Sequence, residues 1–141
     1  MSEQSMRTVV LELLKSLDPY PVENPAYPGT PDVNYREGWI ELKEIDHWGI
    51  SETPVLLKHY TPQQRIFLRK RWAAGGHAYL LLKVGSSDWL LFDGAYAHAE
   101  VGFAAQGELR KHSLATWKKR PPAGELVKCL TASPRMKSKL K

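Results

Sequence analysis

Near the start of the chain, Met6, Val9, Val10, Leu13, Leu14 and Leu17 recur at three- and four-residue spacing, which predicts an amphipathic helix from Ser2 to Leu17. Asp18-Pro19 ends it. Five prolines between positions 19 and 31 then impose an irregular connector. Two short strands are expected next, Asp32–Asn34 and Trp39–Glu44, with Gly38 marking the turn between them. Residues 45–60 show no clear period. Thr61-Pro62 supplies a capping hydroxyl and a proline for the first helical position, so a helix is predicted to about Ala74, where Gly75-Gly76 stops it. Ala78–Val84 and Trp89–Asp93 read as two strands of a hairpin joined by Gly85-Ser86-Ser87-Asp88. Beyond Gly94 the pattern fades, although a helix fits between Glu108 and Lys119. The order helix, strand, strand, helix, strand, strand predicts an α/β protein with a mixed central sheet flanked by helices.

The chain has 141 residues, the size of one domain, and we read residues 1–130 as that domain and 131–141 as a basic, disordered tail. One cysteine, Cys129, excludes an internal disulfide and is taken as a packing residue. The strongest apolar run, Ala78–Val84, is interrupted by Lys83 and is too short to span a bilayer. With no signal-peptide pattern at the N-terminus, a cytoplasmic protein is expected. From Arg110 onward there are ten Lys/Arg against one acid, whereas residues 1–109 carry ten against fourteen. A basic end on a mildly acidic body fits either a polyanionic partner or a solubilising tail.

The chemistry concentrates in the segment from Gly29 to Lys43. Side chains alternate along a strand, so Glu41 and Lys43 share one face while Ile40 and Leu42 take the other. A four-residue turn over Tyr35–Gly38, with the glycine in a left-handed conformation, would pair Asn34 with Trp39 and Asp32 with Glu41. Opposite residues place their Cβ atoms roughly 5 Å apart, so the two carboxylates could share one hard cation such as Mg²⁺. Such a cation polarises a phosphate and activates water, and a neighbouring lysine stabilises developing negative charge. The competing reading makes Asp32 a turn residue and Glu41–Lys43 an exposed ionic stripe.

Gly29-Thr30-Pro31-Asp32, Trp39-Ile40-Glu41-Leu42-Lys43, Thr61-Pro62-Gln63-Gln64-Arg65 and Gly75-Gly76 before an apolar strand resemble, in that order, the VRR-NUC branch of the PD-(D/E)xK nucleases. More closely they resemble small phage proteins described as Holliday-junction resolvase-like. The resemblance covers roughly residues 3–93. It implies a restriction-endonuclease-like fold, with a mixed central sheet flanked by helices, and Mg²⁺- or Mn²⁺-dependent cleavage of DNA, often branched. It also implies metal binding by Asp32 and Glu41 with the Leu42 carbonyl, a catalytic Lys43, a site role for Gln64, and a first-helix acid that falls most naturally on Glu3. A homodimer in the host cytoplasm would suit symmetric cuts across a junction. The 44–60 connection is longer than the resemblance implies, and the basic C-terminal third has no counterpart in it.

Two readings stand for several residues. Gln64 aligns with the apolar face of Phe67, Leu68 and Trp72, yet with Thr61 it also forms a capping box. Glu3 lies near the first helix's stripe, yet an acid in a first turn is also a good dipole partner. Trp48 is either a wedge for a branch point or a loop anchor packed on the core. The DNA-contacting candidates are Lys58, the helix face of Arg65, Arg69 and Lys70, and the basic run Lys118, Lys119 and Arg120. No pair of histidines shows ligand spacing, so no zinc site is expected. The rival functions are a general nicking nuclease, a non-catalytic DNA-binding module on the same fold, and an RNA-directed nuclease.

Overall fold

The computed structural model describes residues 3–133, with Glu3 and Gln4 described by their backbone alone. One six-stranded sheet, in the order β1-β2-β3-β4-β5-β6, carries helices on both faces. Its strands are β1 (Tyr20–Pro21), β2 (Val33–Asn34), β3 (Gly38–Ile45), β4 (His77–Val84), β5 (Asp88–Asp93) and β6 (Ala115–Trp117). Only β3 and β4 run parallel, joined by α2 (Pro62–Ala73), since a parallel pair needs a crossover; the other neighbours are antiparallel.

On one face, α1 (Glu3–Leu13) and the single 3₁₀ turn after it lay Met6, Val10, Leu14 and Leu17 on Ile40, Leu42, Tyr79 and Leu81. The periodicity that predicted this helix is realised, with a 3₁₀ turn as its last part. The same layer takes Leu126 and Leu130 of α5 (Ala123–Thr131), and the buried Tyr35 hydroxyl donates to the Leu130 carbonyl at 2.7 Å. On the other face, Leu68 of α2, Ala97 of α3 (Gly94–Ala99) and Leu109 of α4 (Gln106–His112) pack with Leu80, Leu82, Leu90 and Phe92. Strands β4 and β5 are therefore covered on both sides, which is why they read as near-continuous apolar runs, broken in β4 by Lys83.

The predicted hairpin register holds, with Val33 opposite Ile40 and Asn34 opposite Trp39. The reason for Gly38 is different from the one expected. It does not adopt a left-handed conformation; instead, a Cβ there would lie 2.1 Å from the His77 carbonyl oxygen, where β3 and β4 begin side by side. Gly75 does take the left-handed cap (φ 89°), and Gly75 and Gly76 donate to Trp72 and Arg71, closing α2 with a Schellman motif. Beyond Gly94 the structure adds α3, β6 and α5 to the expected helix, here α4. Of the expected tail, residues 134–141 lie outside the described residues. Among the described residues, no helix is long and apolar enough to cross a membrane.

Candidate active site

The register that joins β2 to β3, carried one residue past β2, sets Asp32 opposite Glu41. A ladder would next pair Leu42 with Pro31, whose carbonyl would accept the Leu42 N–H, but proline has no N–H to return to the Leu42 carbonyl. The Asp32 carboxylate stands in for the Pro31 carbonyl, and its Oδ2 accepts the Leu42 N–H at 2.8 Å. Backbone groups alternate in direction along a strand, and the Ile45 carbonyl, which meets the Gly85 N–H, belongs to the set that faces β4. The Leu42 carbonyl, three residues earlier, therefore faces the Pro31–Asp32 side. The proline that interrupts the ladder thus leaves a carboxylate and a carbonyl together beside Glu41.

Glu41 is almost fully enclosed, with 1% of its surface exposed, on the face of β3 that α2 covers. Its Oε2 meets the Lys43 Nζ at 3.3 Å, while no hydrogen-bond donor reaches Oε1. Burial, and then the charge of Asp32, push its carboxyl well above the ordinary carboxylate range, outweighing the ammonium of Lys43. A buried carboxylate with an unpartnered oxygen is costly on its own. A divalent cation would relieve both the desolvation and the repulsion from Asp32. The donors that converge here (two carboxylates and a carbonyl) are hard oxygens of the kind that suit Mg²⁺ or Mn²⁺. Among the described residues no third acidic, imidazole or thiol side chain completes a cluster, so substrate and solvent oxygens would supply the rest of the shell.

Lys43 is 4% exposed, and its Nζ also donates to the His59 carbonyl at 2.9 Å. The long 44–60 connection thereby ends as a wall of the site. The adjoining Tyr60 lies with its ring 5.8 Å from the same ammonium and its hydroxyl on the Ala97 carbonyl at 2.7 Å. Tyr60 was missed in the sequence, where an aromatic before Thr-Pro reads only as a loop residue.

The other candidates divide. Gln64 completes the capping box: its Oε1 accepts the Thr61 N–H at 3.0 Å and its own N–H meets Thr61 Oγ1 at 3.2 Å. Arg65 faces inward, its guanidinium 4.0 Å from the Tyr60 ring and 4.5 Å from the Phe103 ring, donating to the His98 carbonyl at 3.0 Å. Burial lowers its pKa, and it ties α2 to the end of α3. Arg69, Lys70 and Lys58 are exposed. Lys118, Lys119 and Arg120 are exposed as well, but they follow β6, three strands from β3, so the structure does not bring them to the carboxylates. Trp48 is a loop anchor: its Nε1 donates to Asp88 at 2.7 Å and Arg110 covers its ring at 5.0 Å. Glu3 begins α1, and its side chain lies outside the described residues. Cys129 packs against the α1 side of the core.

No family model matches the sequence, and comparison with curated proteins finds no match. Among solved structures, the fold is similar to that of Archaeoglobus fulgidus Hjc, a Holliday junction resolvase from an archaeal hyperthermophile. The TM-score is 0.53 at 21% sequence identity, over 80% of this chain and 94% of that one. The chain therefore has a restriction-endonuclease-like mixed α/β fold.

Proposed function

We propose that this chain is a divalent-metal-dependent endonuclease that hydrolyses phosphodiester bonds in DNA, with branched DNA as its substrate. The observation that carries the reading is the meeting of Asp32, Glu41 and Lys43 at the end of β2, with a buried carboxylate oxygen on Glu41 left unpartnered. The likeness in fold to a Holliday junction resolvase supports the substrate class. So does the ordered set of four sequence blocks, whose resemblance to VRR-NUC proteins also suggests a role in phage DNA recombination or repair inside the host cytoplasm.

Asp32, Glu41 and the Leu42 carbonyl would hold Mg²⁺, with Mn²⁺ able to replace it and Glu3 a further candidate ligand. When bound, such an ion polarises the scissile phosphate and lowers the pKa of an attacking water. Asp32 has a second task, since its bond to the Leu42 N–H fixes the strand end that presents all three donors. Lys43, held by Glu41 and the His59 carbonyl, places an ammonium where negative charge grows on the phosphate oxygens. Gln64 stands at the first turn of α2 as a positioning group for substrate, beyond its capping bond. Exposed Lys58, Arg69 and Lys70 supply phosphate contacts near the site, Arg65 braces α2 beneath them, and Lys118, Lys119 and Arg120 extend the basic surface. A homodimer would present two such sites for paired cuts.

The test is incubation of the protein with labelled four-way junction, flap and plain duplex DNA, with Mg²⁺ and with EDTA. We expect junction cleavage in Mg²⁺, none in EDTA, and loss by about a hundredfold or more in Asp32→Ala and Glu41→Ala with DNA binding retained. Full activity in either variant, or in EDTA, would overturn the assignment.

A further inference from the structure

Next to the carboxylates runs a groove of about 710 Å³ between the proline-rich connector and α2. Its working surface is Tyr27, Trp39, Ile66, Phe67, Lys70 and Arg71. Strand alternation puts Trp39 on the same face of β3 as Glu41, one side-chain step away, and Thr30 at the groove's edge is two residues from Asp32. The groove thus lies beside the site, reached through Trp39 and Thr30.

One wall is a layered stack. The Trp39 and Phe67 rings meet edge-on at 5.4 Å, and the Arg71 guanidinium lies 5.0 Å from Phe67 and 5.7 Å from Trp39. The other wall carries Tyr27, 72% exposed, on a tight turn in which the Thr30 hydroxyl and N–H both bond the Tyr27 carbonyl. That turn is seated firmly on α2: Gly29 (φ 98°) approaches so closely that a Cβ would lie 2.6 Å from the Gln63 backbone. Ile66, 44% exposed, lines the space between. Three aromatic rings, two cations and no acid line the groove. Tyr27 presents an open ring, Trp39 and Phe67 are half-buried behind it, and the cations favour an anionic partner.

We propose that this groove takes an unpaired nucleobase of the DNA strand whose phosphate enters the Asp32–Glu41 site. The base stacks against Tyr27 and the Trp39–Phe67 wall, and Lys70 and Arg71 hold the flanking phosphates. A planar, apolar and polyanionic ligand matches this lining, and its volume lies within the range of about 300–1,000 Å³ found for small-molecule sites. A single-stranded flap offers such a base outright, and a pair at a branch point costs less to open than one inside a continuous duplex, so the groove would give the site its preference for branched substrates. This inference rests on the nuclease reading, yet it can be tested without cleavage.

The test measures anisotropy of a labelled oligothymidylate and of an abasic strand of equal length, both in EDTA. The phosphates are the same in the two strands, so only stacking separates them. Wild type should bind the thymidine strand about five- to a hundredfold more tightly, the range for one stacked base. Tyr27→Ala should erase the preference and Tyr27→Phe keep it. Equal binding of the two strands by wild type, or a full preference in Tyr27→Ala, overturns the stacking groove. Should the preference be found while no substrate is cleaved in Mg²⁺, the nuclease reading falls and the groove stands. Should junctions be cleaved while the two strands bind equally, the reverse holds.

Discussion

Two buried carboxylates sit two strands apart on the same sheet and have been treated in opposite ways. Asp88, at the start of β5, has both side-chain oxygens engaged: Trp48 Nε1 reaches it at 2.7 Å, Arg110 at 2.9 and 3.4 Å, and Lys118 lies 3.9 Å away. Burial alone would raise its pKa, but the hydrogen bonds from Arg110 and Trp48 outweigh that and hold the carboxyl below its ordinary range. Glu41, equally enclosed, has one lysine, one bare oxygen and a second carboxylate for company, and its pKa goes the other way. The first arrangement stabilises the fold by tying the 44–60 connection and α4 to the sheet. The second costs stability, and a fold retains such a cost where the site has work to do.

The comparison breaks hardest at Lys43. Lys43→Met removes the ammonium while keeping the length of the side chain, and junction cleavage should fall by about a hundredfold or more with metal binding retained. A variant that cleaves normally would reduce Lys43 to a partner of Glu41. At the other cluster the effect should be on stability alone. Asp88→Ala strands the Trp48 and Arg110 donors and should cost about 3 kcal/mol, a fall in Tm of roughly 10 °C, with kcat per folded molecule unchanged.

The smallest effect is the most discriminating, because the two carboxylates should respond to pH with opposite signs. The Asp88 carboxyl is depressed in the folded state, so the stability it supplies is complete above the ordinary carboxylate value and lost as pH falls through the folded value. The Glu41 carboxyl is raised, so without metal its contribution is complete below the ordinary value and lost as pH rises through the folded one. Asp32→Asn removes the charge that presses on Glu41 while leaving an oxygen for the Leu42 N–H. In EDTA near neutral pH it should therefore stabilise the protein by about 1 kcal/mol, a figure already reduced for the partial exposure of Asp32. Thermal melts across pH for wild type, Asp32→Asn and Asp88→Asn would show whether the two arms separate in this way.

Much of this was legible in the chain. The α1 stripe, the Thr61 cap, the Gly75-Gly76 stop and the β4–β5 hairpin are local signals, and local physics decided them. The pairing of Asp32 with Glu41 followed from one turn length. What stayed hidden depended on distant partners. Six-residue α3 begins at Asp93-Gly94, a pair that reads as a turn until the Asp93 side chain is seen to cap it through the Tyr96 N–H. The apolar pair Leu126 and Leu130 did mark α5, but the surrounding basic and proline-rich composition masked it. Arg65 looked like a solvent-facing cation because its ring partners, Tyr60 and Phe103, are far apart in sequence. Trp48 found its anchor in Asp88, forty residues on, which no spacing rule would join.

The central claim is that the bare oxygen of Glu41 is a metal ligand in waiting. Titration of Mn²⁺ into the protein, followed by calorimetry in two buffers of different ionisation enthalpy, tests it most directly. Binding should release protons, strengthen as pH rises, and be lost in Glu41→Gln and Asp32→Asn. Binding of equal strength in Glu41→Gln, or no binding by the wild type at any pH, would contradict it.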